Sequence, residues 1–524
     1  MKNNIVKFLA ITLLFYITGC TSDFDEVNTN PNSLTTDQLD ASMAGPAFAN
    51  ALYKGTGNAS WSLPGDDYGT YGLATALHSM MFAHYMSPGW AAATDANGIN
   101  DGWRSRGWLR FYTLAVPSLL NTYKATEGNA EATAILDIWK VYMFHRFTDH
   151  WGPVPYTQAG IGGATVPYDS QESMYADFFN LLEAANTTLS SSSESTVGVF
   201  KDYDAIYDGN VEKWRKFGNS LRLRLALRIS DVDASNAKVQ AETAVAAGVM
   251  ESNNDSAYFA VTPDTYNNFV DIMKYWGFYM TADMESVLKG YDDPRMDIWF
   301  DPVSDSTSTY VGDFVGLPNG IGSTTAWESK NFSLTNQKTT FADNSTKDIE
   351  VMMASESNFN RAEGALKGWN MSGTAQALYE DGIRLSMGQW GVTDSAAISA
   401  YITGNTTGVV PVFGGPLYID NTPPVDVPVS WASTESEQLK QIAVQKFLGL
   451  FPESWEAWSD LRRTDADILY PLLTTEDPTI GFGVMKRVTY LPNEYSTNEA
   501  AVLDAVTTLG GPDKGNTSLW WDVN

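Results

Sequence analysis

The chain has almost no cysteine and few basic residues for its length. One cysteine, Cys20, stands among 524 residues, so no disulfide can form within the chain. The 33 lysines and arginines are outnumbered by 62 aspartates and glutamates, and the formal net charge is −29. Nucleic acids and anionic membrane surfaces attract basic proteins, so this balance argues against both as partners. An acidic exterior suits a well-solvated protein or a calcium-rich setting.

The motifs of the common enzyme classes are also missing. The four histidines form no His-Glu-x-x-His pair, and there is no cysteine nucleophile, Gly-x-Ser-x-Gly elbow, phosphate loop or dinucleotide fingerprint. His145 and His150 lie around a predicted helix end, where core or capping roles are favoured. The many carboxylates leave a glycosidase pair open. The sequence therefore predicts no cofactor and no metal ligands, with a bound Ca²⁺ left open.

Residues 1–19 have the organisation of a lipoprotein export signal. A basic start with Lys2 and Lys7 is followed by an apolar run over residues 8–17 and by the sequence ITGC, which ends at Cys20. The run is too short to span a bilayer, and its ending matches the bacterial lipobox. We expect cleavage before Cys20, lipidation of its sulfur, and a flexible tether over residues 20–33. The alternative is a secreted protein with an incidental cysteine.

Residues 34–524 are predicted to form one mainly α domain. Apolar residues recur at helical spacing along much of it, most clearly from about residue 130. That helix is apolar around most of its girth, so it belongs in a core, and Gly152 and Pro153 end it. Paired helices with small residues at their contacts suggest tetratricopeptide-like stacking, although no strict repeat is visible.

Two long segments without helical periodicity, residues 304–346 and 405–430, interrupt the helices. The first is predicted to be a surface excursion, and the proline-rich second an insertion with at most a short hairpin. Helices are predicted over residues 210–229 and 348–369, and coil from residue 489. The helix near residue 210 is strongly basic. Its arginines are expected to pair with internal carboxylates, with an anionic-ligand site as the alternative.

Two loop regions, residues 90–108 and 266–279, combine aromatic rings with amide, carboxylate and guanidinium groups. That combination is the chemistry of a carbohydrate site, since flat rings meet sugar faces and polar side chains meet hydroxyls. The alternative is that these rings fill gaps between helices. The candidate ligand-binding residues are Trp90, Asn100, Asp101, Trp103, Arg104, Arg106, Trp108, Tyr266, Asn268 and Trp276. A third edge is suggested by Trp61, Asp66, Asp67, Tyr68 and Tyr71.

The sequence TDHWGPVPY at residues 148–156 resembles the SusD/RagB family of outer-membrane nutrient-binding lipoproteins. Further stretches fit that family in the same order: FDEVNTNPN at 24–32, WRKFGNSLRLR at 214–224, DDPR at 292–295, ESNFNRAEGALKG at 356–368, EAWSDLRRT at 456–464 and RVTYLPNEYSTN at 487–498. The resemblance implies about four tetratricopeptide-like helix pairs as scaffold, with a loop-rich, irregular ligand-binding face. Ligand residues of this family sit in variable loops, so the resemblance adds none to the candidates.

The resemblance also implies a surface lipoprotein that acts as a lid over a TonB-dependent transporter, its partner in the outer membrane. Three functions remain open. The first is capture of oligosaccharides, for which the aromatic loops argue. The second keeps the lid and changes the cargo to oligopeptides, since an acidic surface suits cationic peptides. The third is a surface glycoside hydrolase, which needs two carboxylates in one cleft. A binding protein is expected, not an enzyme.

Overall fold

The computed structural model describes residues 39–57, 70–163, 165–321, 328–343, 345–412 and 422–523. The predicted export signal, Cys20 and the tether lie outside these residues, as do Trp61, Asp66, Asp67 and Tyr68 of the suggested third edge. Within the described part, no helix is long and apolar enough to cross a bilayer.

The chain is mainly helical, as predicted. The α-helices of six or more residues are α1 (Ala44–Gly55), α2 (Asp101–Arg110), α3 (Val116–Ala125), α4 (Ala130–Trp151), α5 (Gln171–Ser191), α6 (Val211–Arg228), α7 (Ala234–Ala247), α8 (Asn268–Trp276), α9 (Ala282–Gly290), α10 (Ala354–Leu366), α11 (Ala375–Gln389), α12 (Ser395–Ile402), α13 (Glu435–Leu450), α14 (Ser454–Thr464), α15 (Pro492–Thr497) and α16 (Glu499–Leu509). Shorter or wider turns are Ala41–Met43, Thr70–Ser79, Met80–Phe82, Ala93–Ala96, Phe111–Ala115, Met296–Trp299 and Ser329–Asn331. The strands are β1 (Met86–Pro88), β2 (Ala257–Phe259), β3 (Phe278–Met280) and β4 (Ile349–Met352).

Helices that follow one another along the chain pack as neighbours. α4 lies against α5, α5 against α6, and α6 against α7; further along, α10 lies against α11 and α13, and α13 against α14. Each helix thereby buries its apolar stripe against the next, which is how a helical scaffold excludes water. The tetratricopeptide-like character predicted from the sequence is present in this pairing.

Helix α4 lies at the centre of this core. Asn129 caps it by accepting a hydrogen bond from the Ala132 amide, and Gly152, at φ 85°, ends it. The predicted corner after it is anchored by the C-terminal part of the chain: Arg487 Nη2 donates to the Trp151 carbonyl at 2.8 Å, and the Tyr490 hydroxyl donates to the Pro153 carbonyl at 2.8 Å. The corner is therefore held by residues more than three hundred positions further along the chain.

The basic helix α6 pairs with internal carboxylates, as predicted. Arg224 binds Glu356 through two hydrogen bonds of 2.7 and 2.6 Å, and Arg228 Nη2 lies 2.6 Å from Glu456. All four side chains are almost completely buried. Breaking such a pair costs about 3–5 kcal/mol because it leaves one charge buried alone. These arginines connect α6 to α10 and α14.

Two predictions of secondary structure outside the candidate site were wrong. Residues 348–369 were expected to be one helix, but strand β4 precedes α10, because a short apolar run fits a buried strand as well as a helix. Coil was expected from residue 489, whereas α15 and α16 form there. Pro492 lies at the start of α15, where its missing N–H costs nothing.

Strands β1 and β3 form a two-stranded antiparallel ribbon that positions the candidate site. Met86 pairs with Met280 and Pro88 with Phe278. The described part of residues 304–346 packs against this ribbon and buries a small apolar cluster around Tyr279 with Leu317 and Phe332. The described part of residues 405–430 is tied to the scaffold through hydrogen bonds such as the one from the Val409 amide to the Ser286 carbonyl.

Candidate ligand-binding site

The ribbon brings the two predicted loop regions together. Trp90 lies just beyond β1, and Trp276 ends α8 just before β3. The Gly89 amide donates to the Gly277 carbonyl at 3.0 Å, which extends the ribbon to its end and fixes the two tryptophans side by side. Residues almost two hundred positions apart thus form one surface feature. We call Trp90, Trp276 and Phe278 the aromatic cluster.

The ring planes of the aromatic cluster meet at angles between 28° and 77°. The Trp90 and Trp276 centroids are 6.1 Å apart with an interplanar angle of 77°, and Trp90 lies 5.4 Å from Phe278 at 64°. Trp276 and Phe278 are closer to parallel, at 28° and 6.4 Å. Phe278 is fully buried, while both tryptophans are half-buried. The buried phenylalanine therefore supports two indoles that keep part of their surface towards solvent.

Two neighbouring residues shape the aromatic cluster. Gly72 is required for close packing, because a Cβ there would lie 2.7 Å from Cη2 of the Trp276 ring. Tyr275, next to Trp276, is 68% exposed and so extends the apolar surface outward. A contiguous exposed apolar patch marks a binding surface, whereas single scattered apolar residues do not. Such rings stack on the apolar face of a sugar or on an apolar side chain.

The segment after Trp90 is anchored by residues that the sequence did not single out. Asp95 is buried and accepts hydrogen bonds from Asn319 Nδ2 and from the Gly320 amide, both at 2.7 Å. Burial raises the pKa of Asp95 to about 6, with those two hydrogen bonds acting in the opposite direction. Asn97, at φ 58°, donates from Nδ2 to the Gly483 carbonyl at 2.7 Å. The only available signal was the Asn97-Gly98 pair, which marks a turn.

Residues 101–108, read as loop, are the helix α2, and this changes the role of several candidates. Asn100 is its N-cap and accepts a hydrogen bond from the Trp103 amide at 3.1 Å. Arg104 is buried and binds Asp101 and the Thr489 carbonyl, each at 2.5 Å. Capping and ion pairing explain these polar residues without a ligand. The structure therefore places Asn100 at a helix cap and Arg104 in a buried ion pair, both outside the aromatic cluster.

The other aromatic candidates of this region are divided between core and surface. Trp108 is only 4% exposed and lies among Phe147, Trp151 and Tyr490, so it is a core residue. Trp103 is half-buried and packs against the core from α2. Arg106 is half-buried on the same helix, and Asp101 is exposed. The structure does not bring any of them into the aromatic cluster.

Among the candidate residues of the second region, only Trp276 belongs to the aromatic cluster, where it contacts Phe278. Asn268 is 1% exposed at the start of α8, so its side chain is not on the surface. Its neighbour Asn267 caps that helix and donates to the Lys347 carbonyl at 3.1 Å. Tyr266 is half-buried before the cap. Tyr71 of the suggested third edge is half-buried and donates from its hydroxyl to the sulfur of Met80.

The four histidines do not assemble into a catalytic or metal site. His78, His145 and His150 are buried, and burial lowers the pKa of each, so all three are neutral near pH 7. His145 has the core role expected of it, with Nδ1 bonded to the Val141 carbonyl. Neither ring nitrogen of His150 is bonded within the described part of the chain. There, no group of three or more His, Cys, Asp or Glu could hold a metal ion.

Comparison with known proteins places this geometry in context. Residues 26–522 match the family described as SusD-like: Susd and RagB outer membrane lipoprotein. The fold is similar to a chitin-binding SusD homolog from Flavobacterium johnsoniae, at 33% identity and TM-score 0.83, covering 92% of this chain and 99% of that one. It is also similar to a SusD-like protein from Bacteroides thetaiotaomicron, at 27% identity and TM-score 0.80, with coverage of 92% and 99%.

A further structure, described as a chitin-binding protein, is 26% identical with TM-score 0.76, covering 92% of this chain and 100% of that chain. Among curated proteins, none matches the chain.

Proposed function

Since this chain belongs to the SusD-like family of outer membrane lipoproteins, we propose that it captures oligosaccharides and delivers them to a TonB-dependent transporter. A lipid on Cys20 holds the protein at the outer membrane, facing the cell exterior, and the helical domain acts as a lid over the transporter. Capture, closure and release form a conformational cycle in which no covalent bond changes. The protein is therefore a binding protein without a cofactor, and not an enzyme.

The aromatic cluster carries this proposal. Trp90 and Trp276 come from distant segments, are held by a hydrogen-bonded ribbon, and remain half-exposed above a buried Phe278. Holding two large apolar rings at a surface has a cost that a ligand offsets when it covers them. Two of the similar structures are described as chitin-binding, which makes chitin oligosaccharides the first ligands to test.

Oligopeptide cargo is the second candidate. The net charge of −29 favours cationic peptides through long-range attraction, and aromatic rings bind apolar side chains as readily as sugar faces. Salt distinguishes the two, because attraction of a charged peptide weakens as ionic strength rises, whereas stacking of a neutral sugar does not. Steady release of reducing ends from an oligosaccharide by the purified protein would instead establish a glycoside hydrolase.

The test is calorimetry on the chain beginning at Thr21, titrated with chitin oligosaccharides, maltodextrins and cationic oligopeptides. Trp90→Ala and Trp276→Ala are each expected to weaken saccharide binding about tenfold or more, since a lost stacking contact costs about 1–2 kcal/mol. Trp103→Ala is the matched control, a half-buried tryptophan outside the aromatic cluster, and should bind normally. Loss of binding in the control alone would contradict the site, and peptide binding with no saccharide binding would overturn the cargo.

The anchor is tested by fractionation of cells that carry the full chain. Wild-type protein is expected in the outer membrane, together with a TonB-dependent transporter after gentle detergent extraction. Cys20→Ser should release the protein from the membrane fraction. Several acyl chains on one cysteine give stable anchoring, and the serine variant would carry none of them. Retention of the Cys20→Ser protein in the membrane would contradict lipidation as the anchor.

A further inference from the structure

A well-defined cavity in the described part of the chain is lined by none of the residues of the aromatic cluster. It has a volume of about 490 Å³ and is bounded by the segment after α14, by the turn around Phe482, and by His84. Small-molecule sites typically have volumes of about 300–1,000 Å³. The proposed function does not use this cavity.

His84 places a polar atom at this cavity. Its ring is almost completely buried, and Nδ1 lies 2.9 Å from Asp283 Oδ2. The carboxylate is an acceptor, so it assigns the proton to Nδ1 and leaves Nε2 as an acceptor. Nε2 makes no hydrogen bond within the described part of the chain. The second oxygen of Asp283 accepts from the Tyr470 amide at 2.6 Å, which ties the pair to the cavity wall.

The backbone around the cavity is held in unusual conformations. His84, Asp465 and Asp467 all line it, and their φ angles are 51°, 41° and 47°. Side chains other than glycine adopt this left-handed region only at a cost of about 1–2 kcal/mol per residue. Asp465 and Asp467 follow α14 and His84 precedes β1, so two separate parts of the cavity wall have a backbone conformation that constrains its shape.

One wall of the cavity is an exposed aromatic ring. Phe482 is 52% exposed at the tip of a turn. Asn97 holds this turn through hydrogen bonds from Nδ2 to the carbonyls of Gly481 and Gly483, and the Phe482 carbonyl accepts from the Leu472 amide at 3.0 Å. The ring is thus presented on a fixed backbone. An apolar ring and a polar acceptor that line one cavity match a ligand with one apolar face and hydroxyl or amide N–H groups on its edge.

The charged residues of the cavity disfavour an anionic ligand. Lys486 Nζ lies 3.0 Å from Asp522 and 3.4 Å from Asp465. Arg462 donates to the carbonyls of Asp149 and Lys486 at 2.8 and 2.7 Å. Both cations are therefore already engaged by groups of the protein, and an anionic ligand would have to displace those partners.

We propose that this cavity is a second saccharide site, which takes a neutral sugar unit with its apolar face on Phe482 and a hydroxyl or acetamide N–H donated to His84 Nε2. The assignment of a sugar rests on the proposed function. The site is separate from the aromatic cluster, because His84 precedes β1 and Trp90 follows it. The three-residue strand between them spans about 10 Å.

Calorimetric titration of the chain beginning at Thr21 with the chitin disaccharide tests this proposal. Two binding events are expected in the wild type. Trp276→Ala removes one of them, and Phe482→Ala weakens the other about tenfold. His84→Asn should do the same, because asparagine tolerates the left-handed backbone but does not supply Nε2. Leu503→Ala, with the same 52% exposure as Phe482 but outside the cavity, is the control.

A second readout is the ¹⁵N chemical shift of the His84 ring. Saturation with the disaccharide should move the Nε2 signal in Trp276→Ala protein, in which only the cavity binds. A single binding event that Trp276→Ala abolishes and Phe482→Ala leaves intact would overturn the second site while upholding the proposed function. Absence of binding to every saccharide would instead overturn both the proposed function and this second site. Binding confined to the cavity would overturn only the role of the aromatic cluster.

Discussion

Trp90 and Trp108 belong to the same stretch of sequence and have opposite roles. Trp108 is 4% exposed, with its ring 5.0 Å from Trp151 and 5.5 Å from Phe147. Trp90 is half-buried at the end of a ribbon, with Trp276 and Phe278 on one side and solvent on the other. Both are surrounded by aromatic rings, so the number of neighbouring rings does not separate a core residue from a binding residue.

The backbone element separates them. Trp108 lies on α2, and an amphipathic helix packs one face against the core along its whole length. Trp90 follows a strand of three residues, where the chain leaves the scaffold. Binding residues are found where a rigid element ends and a loop begins, because the element gives position and the loop gives access. The comparison predicts that Trp108 contributes to stability and Trp90 to affinity.

The largest effect is expected from Trp108→Ala. Removing a buried indole from a closely packed cluster should lower the free energy of unfolding by about 3–5 kcal/mol. Urea denaturation measures this, and the folded fraction should retain its saccharide affinity. Trp90→Ala is the counterpart, expected to lose affinity at nearly unchanged stability. The comparison breaks if Trp108→Ala leaves stability intact or if Trp90→Ala unfolds the protein.

The next largest effect is a loss of stability at acidic pH, caused by the buried His78. Burial lowers the pKa of His78 from 6.5 to about 4. As the pH falls, the unfolded chain therefore binds a proton at His78 before the folded protein does. The free energy of unfolding is highest above pH 6.5, where His78 is neutral in both states, and it decreases as the pH falls towards 4. The loss is about 1.4 kcal/mol per pH unit, roughly 3 kcal/mol in total. Urea denaturation at several pH values should show a shallower pH dependence for His78→Gln, and an unchanged slope would contradict the prediction.

A smaller effect is expected from Asn97, which holds the segment after Trp90. Asn97→Ala loses two hydrogen bonds and places alanine at φ 58°, at a combined cost of about 2 kcal/mol in unfolding free energy. Asn97→Gly keeps the backbone conformation and loses only the hydrogen bonds, so it should cost about half as much. Denaturant melts of both variants measure the difference. Equal losses would show that the left-handed backbone carries no cost here.

The smallest effect is expected from Trp90→Phe, which keeps an aromatic ring of reduced area. Affinity for a saccharide ligand should fall only about two- to fivefold, against about tenfold for Trp90→Ala, because part of the stacking surface remains. Calorimetry on the two variants and the wild type would show a graded series. An equal loss in both variants would point to the indole N–H, and not the ring face, as the recognised feature.

Much of the scaffold follows from the sequence, because helix cores are encoded locally. Helix α4, its Gly152 end and the paired arginines of α6 are confirmed. The candidate site was harder to predict from the sequence. Its two tryptophans, Trp90 and Trp276, were both candidates. The local sequence did not indicate that β1 would pair with β3, nearly two hundred residues away, because pairing depends on the register between distant strands. Phe278 and Asp95 were missed for the same reason: their roles come from distant contacts.

The same limit explains the errors around α2. Gly102, Gly107 and the flanking tryptophans suggested a loop, yet Asn100 caps a helix there. Glycine weakens a helix by only about 1 kcal/mol, which tertiary packing easily offsets. At position 107 it also has a packing role, because a Cβ would lie 2.9 Å from the Ala74 side chain. A residue that reads locally as a helix breaker can thus be the one that lets two helical segments approach.

The carboxylate of Asp149 has a consequence for the timing of assembly. Its Oδ1 accepts hydrogen bonds from the Tyr175 hydroxyl at 2.7 Å and from Trp521 Nε1 at 2.8 Å. The second partner lies 372 residues further along the chain. A buried carboxylate that lacks part of its hydrogen bonding is unfavourable. A contact between residues 372 positions apart forms more slowly than a local helix, so the centre of this core is completed late in folding.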